Sequence, residues 1–264
     1  MRAGRPLELA DWFRRYRPLP APAARLVCFP HAGGGASFFR RWAEDLPSGP
    51  AGVELLAGQY PGREERLAEP PATDLPALAG SFVAALGRHR DRPVALLGHS
   101  LGAAVAYEVA HQLQATPAGP PALLVVSGRP APADPGRLVH RMGDDAIWAE
   151  LGRAGGTDPR LLASPELRAL LLPVLRADYR LSETYRPAGR PALRCPILAC
   201  GGEEDPDLDP ALLSGWGART AAGTEVRTYP GDHFYLTRHR RALIGEVIRK
   251  LGGDPGGVSW PVLP

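Results

Sequence analysis

Residues 96–104, "LLGHSLGAA", place a serine between two glycines in the form Gly98-His99-Ser100-Leu101-Gly102. A serine so placed is either a nucleophile or a turn residue. The chain has 31 glycines and 9 serines among 264 residues, so random order alone yields about 0.1 such five-residue patterns. The letters therefore carry less weight than their flanks. "PVALLGHS" reads as a short buried strand, and "SLGAAVAYEVAHQLQ" has apolar residues at helical spacing. A strand, a sharp turn and a helix make a nucleophile elbow, in which the glycines let the turn close while the hydroxyl of Ser100 projects from the sheet edge.

A serine hydroxyl is a weak nucleophile at neutral pH and needs a base, which in turn needs an orienting carboxylate. With this elbow the partners follow the serine in the order acid, then histidine, on loops after late strands. "EVRTYPGDHFYL" supplies His233 after the last strand-like run, and "CPILACGGEEDPDLDP" supplies acids after the one before. His233 is the expected base. His31 and His99 lie beside strand ends, where their side chains are expected to point elsewhere, and His89, His111, His140 and His239 are expected to be solvated. Among Glu203, Glu204, Asp205, Asp207 and Asp209 the favoured acid is Asp205, because the Gly-Gly turn ends the strand and Asp-Pro then starts another turn. Asp232 reads as a turn residue.

Acyl chemistry also requires two backbone N–H groups aimed at the oxyanion. One comes from the residue after the nucleophile, Leu101, and the other from a loop after an early strand. "CFPHAGGGASFF" is such a loop, with Ala32 as the expected donor. No Gly-Lys-Ser/Thr follows its glycines, so a phosphate cradle is disfavoured.

These loops need a scaffold. Apolar strand-like runs recur at 25–30, 53–61, 93–100, 122–128, 195–202 and 225–231, with amphipathic segments near 37–46, 74–90, 100–114, 209–219 and 238–251. That alternation predicts an α/β fold, a mostly parallel central sheet flanked by helices on both faces. Between Gly128 and Cys195 no strand is convincing. Leu167, Leu170, Leu171, Val174, Leu175 and Leu181 there form an apolar stripe interrupted by Pro173, which is expected to kink or restart a helix. Residues about 130–190 are therefore read as a helical lid inserted over the serine. The rest reads as one domain over 1–264, with a proline-rich connector, "RPLPAPAA", and a loose tail, "GGDPGGVSWPVLP".

Composition excludes several alternatives. Hydrophobic residues make up 44% and charged residues 22%, the balance of a folded globular protein. The sequence contains no run of 18 apolar residues and no signal-peptide pattern at its start, which predicts a cytoplasmic protein. Cys28, Cys195 and Cys200 match no zinc or disulfide spacing and are expected to be buried thiols. All but one of the 31 basic residues are arginine, scattered rather than clustered, which argues against nucleic acid and leaves an acidic protein as a partner.

The chain resembles the stand-alone, type II thioesterases of modular polyketide synthases and nonribosomal peptide synthetases, within the α/β-hydrolase superfamily. The matching pieces are "RLVCFPHAGGGASFF", "QYPGREERL", "LLGHSLGAAVAYEVA", "VSGRPAP", "LPVLRADYRLSETY", "CPILACGGEEDP" and "YPGDHFYL", in family order over nearly the whole chain. The resemblance implies Ser100 as nucleophile, Asp205 as acid, His233 as base and the amides of Ala32 and Leu101 as oxyanion donors. It departs at Glu203, where the family often has aspartate. It further implies a substrate thioester on the phosphopantetheine arm of an acyl or peptidyl carrier protein, an editing or unloading role, no metal or bound cofactor, and by default a monomer. Arg63, Arg66 and Arg129, in two of these pieces, read as ion-paired braces or as contacts to an acidic carrier.

Three other readings share part of this pattern. A carboxylesterase or lipase would use the same triad on oxygen esters, a terminal thioesterase would release a finished product, and a silent binding protein would keep the scaffold without the chemistry.

Overall fold

The computed structural model describes residues 12–49, 52–132, 138–155, 159–187 and 189–252. The first eleven residues and nearly all of the "GGDPGGVSWPVLP" segment lie outside these, so the readings made on them are not addressed by the structure. Among the described residues, seven strands form one sheet: β1 (Phe13–Arg14), β2 (Ala24–Phe29), β3 (Val53–Gly58), β4 (Val94–His99), β5 (Leu123–Ser127), β6 (Ile197–Gly202) and β7 (Thr224–Tyr229). Their order is β1-β3-β2-β4-β5-β6-β7. All neighbours are parallel except the β1–β3 pair, as expected for an α/β-hydrolase fold. β1 is not legible in the sequence: two residues carry no periodicity, and Phe13 is held by tertiary packing on Phe82, with ring centroids 5.3 Å apart.

The central strands read as unbroken apolar runs because both faces are covered. Val27, Phe29, Leu96, Leu124 and Val126 enter one core and their alternating neighbours Leu26, Cys28, Leu97 and Val125 the other. The first core packs against α2 (Leu75–Leu86) and α3 (Leu101–Gln114), the second against α1 (Arg40–Asp45) and a C-terminal helix (Arg240–Lys250). Local signals start these helices where the sequence changes: Asp74 accepts a hydrogen bond from the Ala77 N–H at 2.6 Å, with Pro76 in the first turn of α2. The segment near 209–219 is a 3₁₀ helix, Pro210–Arg219. The three cysteines are free and buried, and burial pushes the Cys195 thiol up to about 11.

The insertion after β5 contains a 3₁₀ turn (Val139–Arg141), α4 (Asp144–Ala154), α5 (Pro159–Leu162) and α6 (Pro165–Thr184). It has its own small core around Val139, Ile147, Trp148 and Leu175. Two expectations are corrected here. Pro173 does not restart the helix, and α6 runs through it; the acceptor the proline leaves without a donor is the carbonyl of Ala169, an exposed residue that water can reach. Leu170 is exposed rather than part of the buried stripe. No described helix is long and apolar enough to cross a membrane.

Candidate active site

Ser100 sits between β4 and α3 with φ 55° and ψ −114°. That conformation is strained for a residue with a side chain, and Ser100 is one of only two non-glycine residues at positive φ among those described. Close packing imposes it. A Cβ on Gly98 would lie 1.9 Å from the Gly102 carbonyl oxygen, and one on Gly102 would lie 2.0 Å from the Phe29 carbonyl oxygen. The helix therefore approaches β2 and β4 at backbone distance, and the Ser100 N–H is fixed by donating to the Ser127 carbonyl at 2.8 Å.

His233 follows β7 and Asp205 follows β6. Asp205 Oδ2 accepts a hydrogen bond from His233 Nδ1 at 2.7 Å, and its other oxygen accepts from the Asp207 N–H at 3.0 Å. The Asp205 carboxylate is fully buried, so the contact is shielded from water. The neighbouring acids are engaged elsewhere: Glu203 accepts from Thr228 Oγ1, Asp209 from the Ala211 N–H, and Asp207 pairs with Arg153. Asp232 accepts from the Phe234 N–H at 2.8 Å, the turn role expected of it.

Ser100, His233 and Ala32 line one cavity of about 510 Å³ together with Leu151, Tyr179 and Tyr185 of the insertion. Leu101 is the first residue of α3, where an N–H has no partner within the helix. Among the described residues, the Ala32 N–H makes no hydrogen bond to the protein.

Two expectations about histidines are overturned. His31 and His99 do not point away. The His99 ring lies 4.8 Å from that of His233, and His31 lines the cavity, 6.0 Å from His99. Burial, and then the positive charge His233 would carry, hold His31 down to about 3 and His99 well below the ordinary imidazole range, so both are neutral supports for the base. His99 Nδ1 shares a hydrogen bond with Ser127 Oγ at 3.0 Å, which shares another with the Tyr235 hydroxyl at 2.7 Å. Nor are His111 and His140 solvated. His111 is buried, and His140 bonds Glu183 Oε2 at 2.5 Å.

The three arginines divide. Arg63 donates to both oxygens of Asp178 at 2.7 and 2.8 Å. Arg66 pairs with Glu69 and lies over Trp12. Both are braces. Arg129 donates to Ser182 Oγ and to the Ser182 carbonyl at 2.6 and 3.0 Å and has no ion pair among the described residues. Asp178 lies in the matching piece "LPVLRADYRLSETY", but no spacing in the sequence marks it as the partner of Arg63. The Asp178 carboxylate also accepts the Gly33 N–H at 2.7 Å, tying α6 to the glycine-rich loop.

Comparison with known proteins identifies the family and the fold. The family model for the thioesterase domain matches residues 24–251. The chain is 45% identical over 250 residues to thioesterase PikA5 of Streptomyces venezuelae, covering 92% of this chain and 87% of that one. The solved type II thioesterase BorB, from the borrelidin biosynthetic cluster, superposes with a TM-score of 0.81 at 40% identity, covering 90% of this chain and 97% of BorB. The type II thioesterase YbtT, from the yersiniabactin NRPS/PKS pathway, superposes with a TM-score of 0.80 at 30% identity, covering 94% of this chain and all of YbtT.

Proposed function

The chain belongs to the thioesterase family, hydrolases that act on thioesters, and from that premise we propose that it is a stand-alone type II thioesterase that clears acyl groups from the phosphopantetheine arms of carrier proteins in polyketide or nonribosomal peptide assembly. The observation that carries the proposal is the 2.7 Å contact between His233 and Asp205 beside a cavity that also holds Ser100. With Nδ1 committed to the carboxylate, Nε2 is the nitrogen left to take the serine proton.

Ser100 Oγ attacks the thioester carbonyl as its proton passes to His233 Nε2, and Asp205 stabilises the imidazolium formed. The amides of Ala32 and Leu101 receive the oxyanion, each such donor contributing about 3–4 kcal/mol to the barrier in comparable sites. Collapse of the tetrahedral adduct breaks the C–S bond, and the proton on His233 goes to the leaving thiolate. Water then attacks the acyl-serine, giving its proton to His233, and a carboxylic acid leaves with Ser100 restored. These steps call on no resident cofactor or metal. The substrate arrives on a partner, so editing of stalled or misprimed carriers is the role that fits. We take the protein to act as a cytoplasmic monomer of one domain with the lid inserted.

The test is turnover of an acyl-loaded carrier protein against a p-nitrophenyl ester of the same acyl group, with a fluorophosphonate to label the serine. A strong preference for the carrier, and loss of labelling in Ser100→Ala and His233→Ala, is the expected result. Better turnover of the simple ester with no gain from the carrier would make this a carboxylesterase.

A further inference from the structure

Arg129 stands out among the charged groups around the cavity. It follows Gly128, at which a Cβ would lie 3.2 Å from the His233 ring and 2.6 Å from that of His99, and it lines the same cavity as Ser100 and His233. The cavity's carboxylates already have cationic or imidazole partners: Glu150 and Asp207 engage Arg153, and Glu183 holds His140 together with the N–H groups of Val139 and His140. Among the described residues, Arg129 donates only to the two neutral oxygens of Ser182. Arg186, on the same wall, donates to the carbonyls of Glu183 and Tyr185 and adds a second positive charge.

A half-buried guanidinium with no counter-ion among the described residues is costly, and an arriving oxyanion relieves that cost. Its planar fork suits a carboxylate or phosphate. We propose that Arg129 seats an oxyanion carried by the substrate, either a carboxylate on the acyl chain or the phosphate of the carrier arm. Burial also pulls the group down to about 10 from its ordinary value. A structural brace would be expected to close on a carboxylate, as Arg63 does on Asp178. The proposal rests on the thioesterase reading and adds a substrate class to it.

Two substrate pairs separate the sources. Methylmalonyl and isobutyryl thioesters of N-acetylcysteamine differ in a carboxylate and lack any phosphate; butyryl-phosphopantetheine and butyryl-pantetheine differ in the phosphate alone. The quantity read is the charged-to-neutral ratio of kcat/KM in each pair. Arg129→Gln is expected to lower one of these ratios by about tenfold to a hundredfold, the value of a hydrogen bond between charged groups. Arg129→Lys should keep part of the lost preference. Ser182→Ala, which loosens the anchor but leaves the charge, should change both members of a pair alike. A fall in the first ratio places the carboxylate at Arg129, and a fall in the second places the phosphate there. If Arg129→Gln unfolds, inhibition of wild-type isobutyryl-thioester hydrolysis by methylmalonamate or phosphopantetheine, but not by isobutyramide or pantetheine, is the supporting result. Ratios unchanged within twofold, or charged inhibitors no better than neutral ones, would overturn the proposal while the enzyme still hydrolyses neutral thioesters. Failure of the wild type on every thioester would instead defeat the thioesterase reading itself.

Discussion

Asp178 and Arg63 form a buried, two-point ion pair that joins the lid helix to the body of the molecule. The two residues are 115 positions apart. Because Asp178 also accepts the Gly33 N–H and Arg63 donates to the Gly34 carbonyl at 3.1 Å, the same pair fixes the loop that carries Ala32. Stacking of Arg63 on Tyr60, whose hydroxyl donates to the Pro30 carbonyl, braces that loop from its other side. Lid position and oxyanion-loop position are therefore linked through one carboxylate.

Removing that carboxylate should cost both stability and activity. Asp178→Ala leaves Arg63 buried without a counter-charge and is expected to lower unfolding free energy by about 3–5 kcal/mol. Hydrolysis of a small acyl thioester should fall further than the unfolded fraction explains, because the Gly33 anchor goes as well. Urea denaturation and steady-state kinetics on the folded fraction measure the two losses. In an Arg63→Met/Asp178→Leu double variant, stability should return in large part while activity does not, since the apolar pair restores packing without anchoring the loop. Activity that follows stability in every variant would show that the pair has no bearing on the oxyanion loop.

How much of this can be read from the sequence depends on whether a residue's partner is local. The elbow around Ser100 is a short-range pattern of strand, glycines and helix, and it is legible. Asp205 and His233 can be ranked because strand order restricts which loops reach the serine. Asp178 cannot be found that way, since it sits at an unremarkable position on an amphipathic helix and its partner lies in a loop far along the chain. The expectation for His31 and His99 fails for a related reason. Their distance in sequence from the last loop conceals that parallel strands β2 and β4 end at the same rim as β7. Pro173 misleads because propensity says nothing about whether water can serve the exposed carbonyl.

The buried histidine behind the base should make stability depend on pH in one direction. His99 is fully buried and held neutral, whereas in the unfolded chain it ionises near its usual pKa of about 6.5. Above that pH neither state binds the proton and the stability is fully present. As pH falls below it the unfolded state gains a proton that the folded state refuses, so stability drops by about 1.4 kcal/mol per pH unit from this residue alone. Denaturation of wild type and His99→Gln at several pH values between 7 and 5 measures the effect. The variant should show a slope shallower by about one proton; equal slopes would mean His99 is protonated in the fold.

Glu108 predicts a second dependence at lower pH. This fully buried carboxylate of α3 accepts from the Tyr185 hydroxyl at 2.8 Å, from Gln112 Nε2 at 2.9 Å, and from Arg190 Nη1 at 2.7 and 2.8 Å. Burial alone would raise its pKa, but the bonds from Gln112, Arg190 and Tyr185 together hold it below the usual carboxylate value. A depressed folded pKa means that the ionised form's contribution is complete above the unfolded value of about 4.3 and disappears as pH falls through the folded one. Glu108→Gln should therefore be less stable than wild type at pH 7, with the gap narrowing below about pH 4. A gap that is constant from pH 7 to 3 would contradict this.

The glycines of the elbow give the sharpest steric prediction. A methyl group at Gly102 would fall 2.0 Å from the Phe29 carbonyl oxygen and 2.7 Å from that of Pro30. Those neighbours are backbone, so no rotamer change relieves the overlap, and α3 and the end of β2 must separate. Overpacked sites of this kind lose about 1–3 kcal/mol or more, and the displaced residues lead directly into His31 and Ala32. Gly102→Ala is accordingly expected to lower the denaturation midpoint and to slow fluorophosphonate labelling at Ser100 by more than tenfold in the protein that remains folded. Gly245 is the matched control. It lies in the C-terminal helix, where a methyl group would have nothing within 4 Å beyond the helix's own backbone, so Gly245→Ala should gain up to about 1 kcal/mol from helix propensity and label at the wild-type rate. Equal behaviour of the two variants would mean that the elbow tolerates a side chain and that the close approach of helix to strand is not what shapes the site.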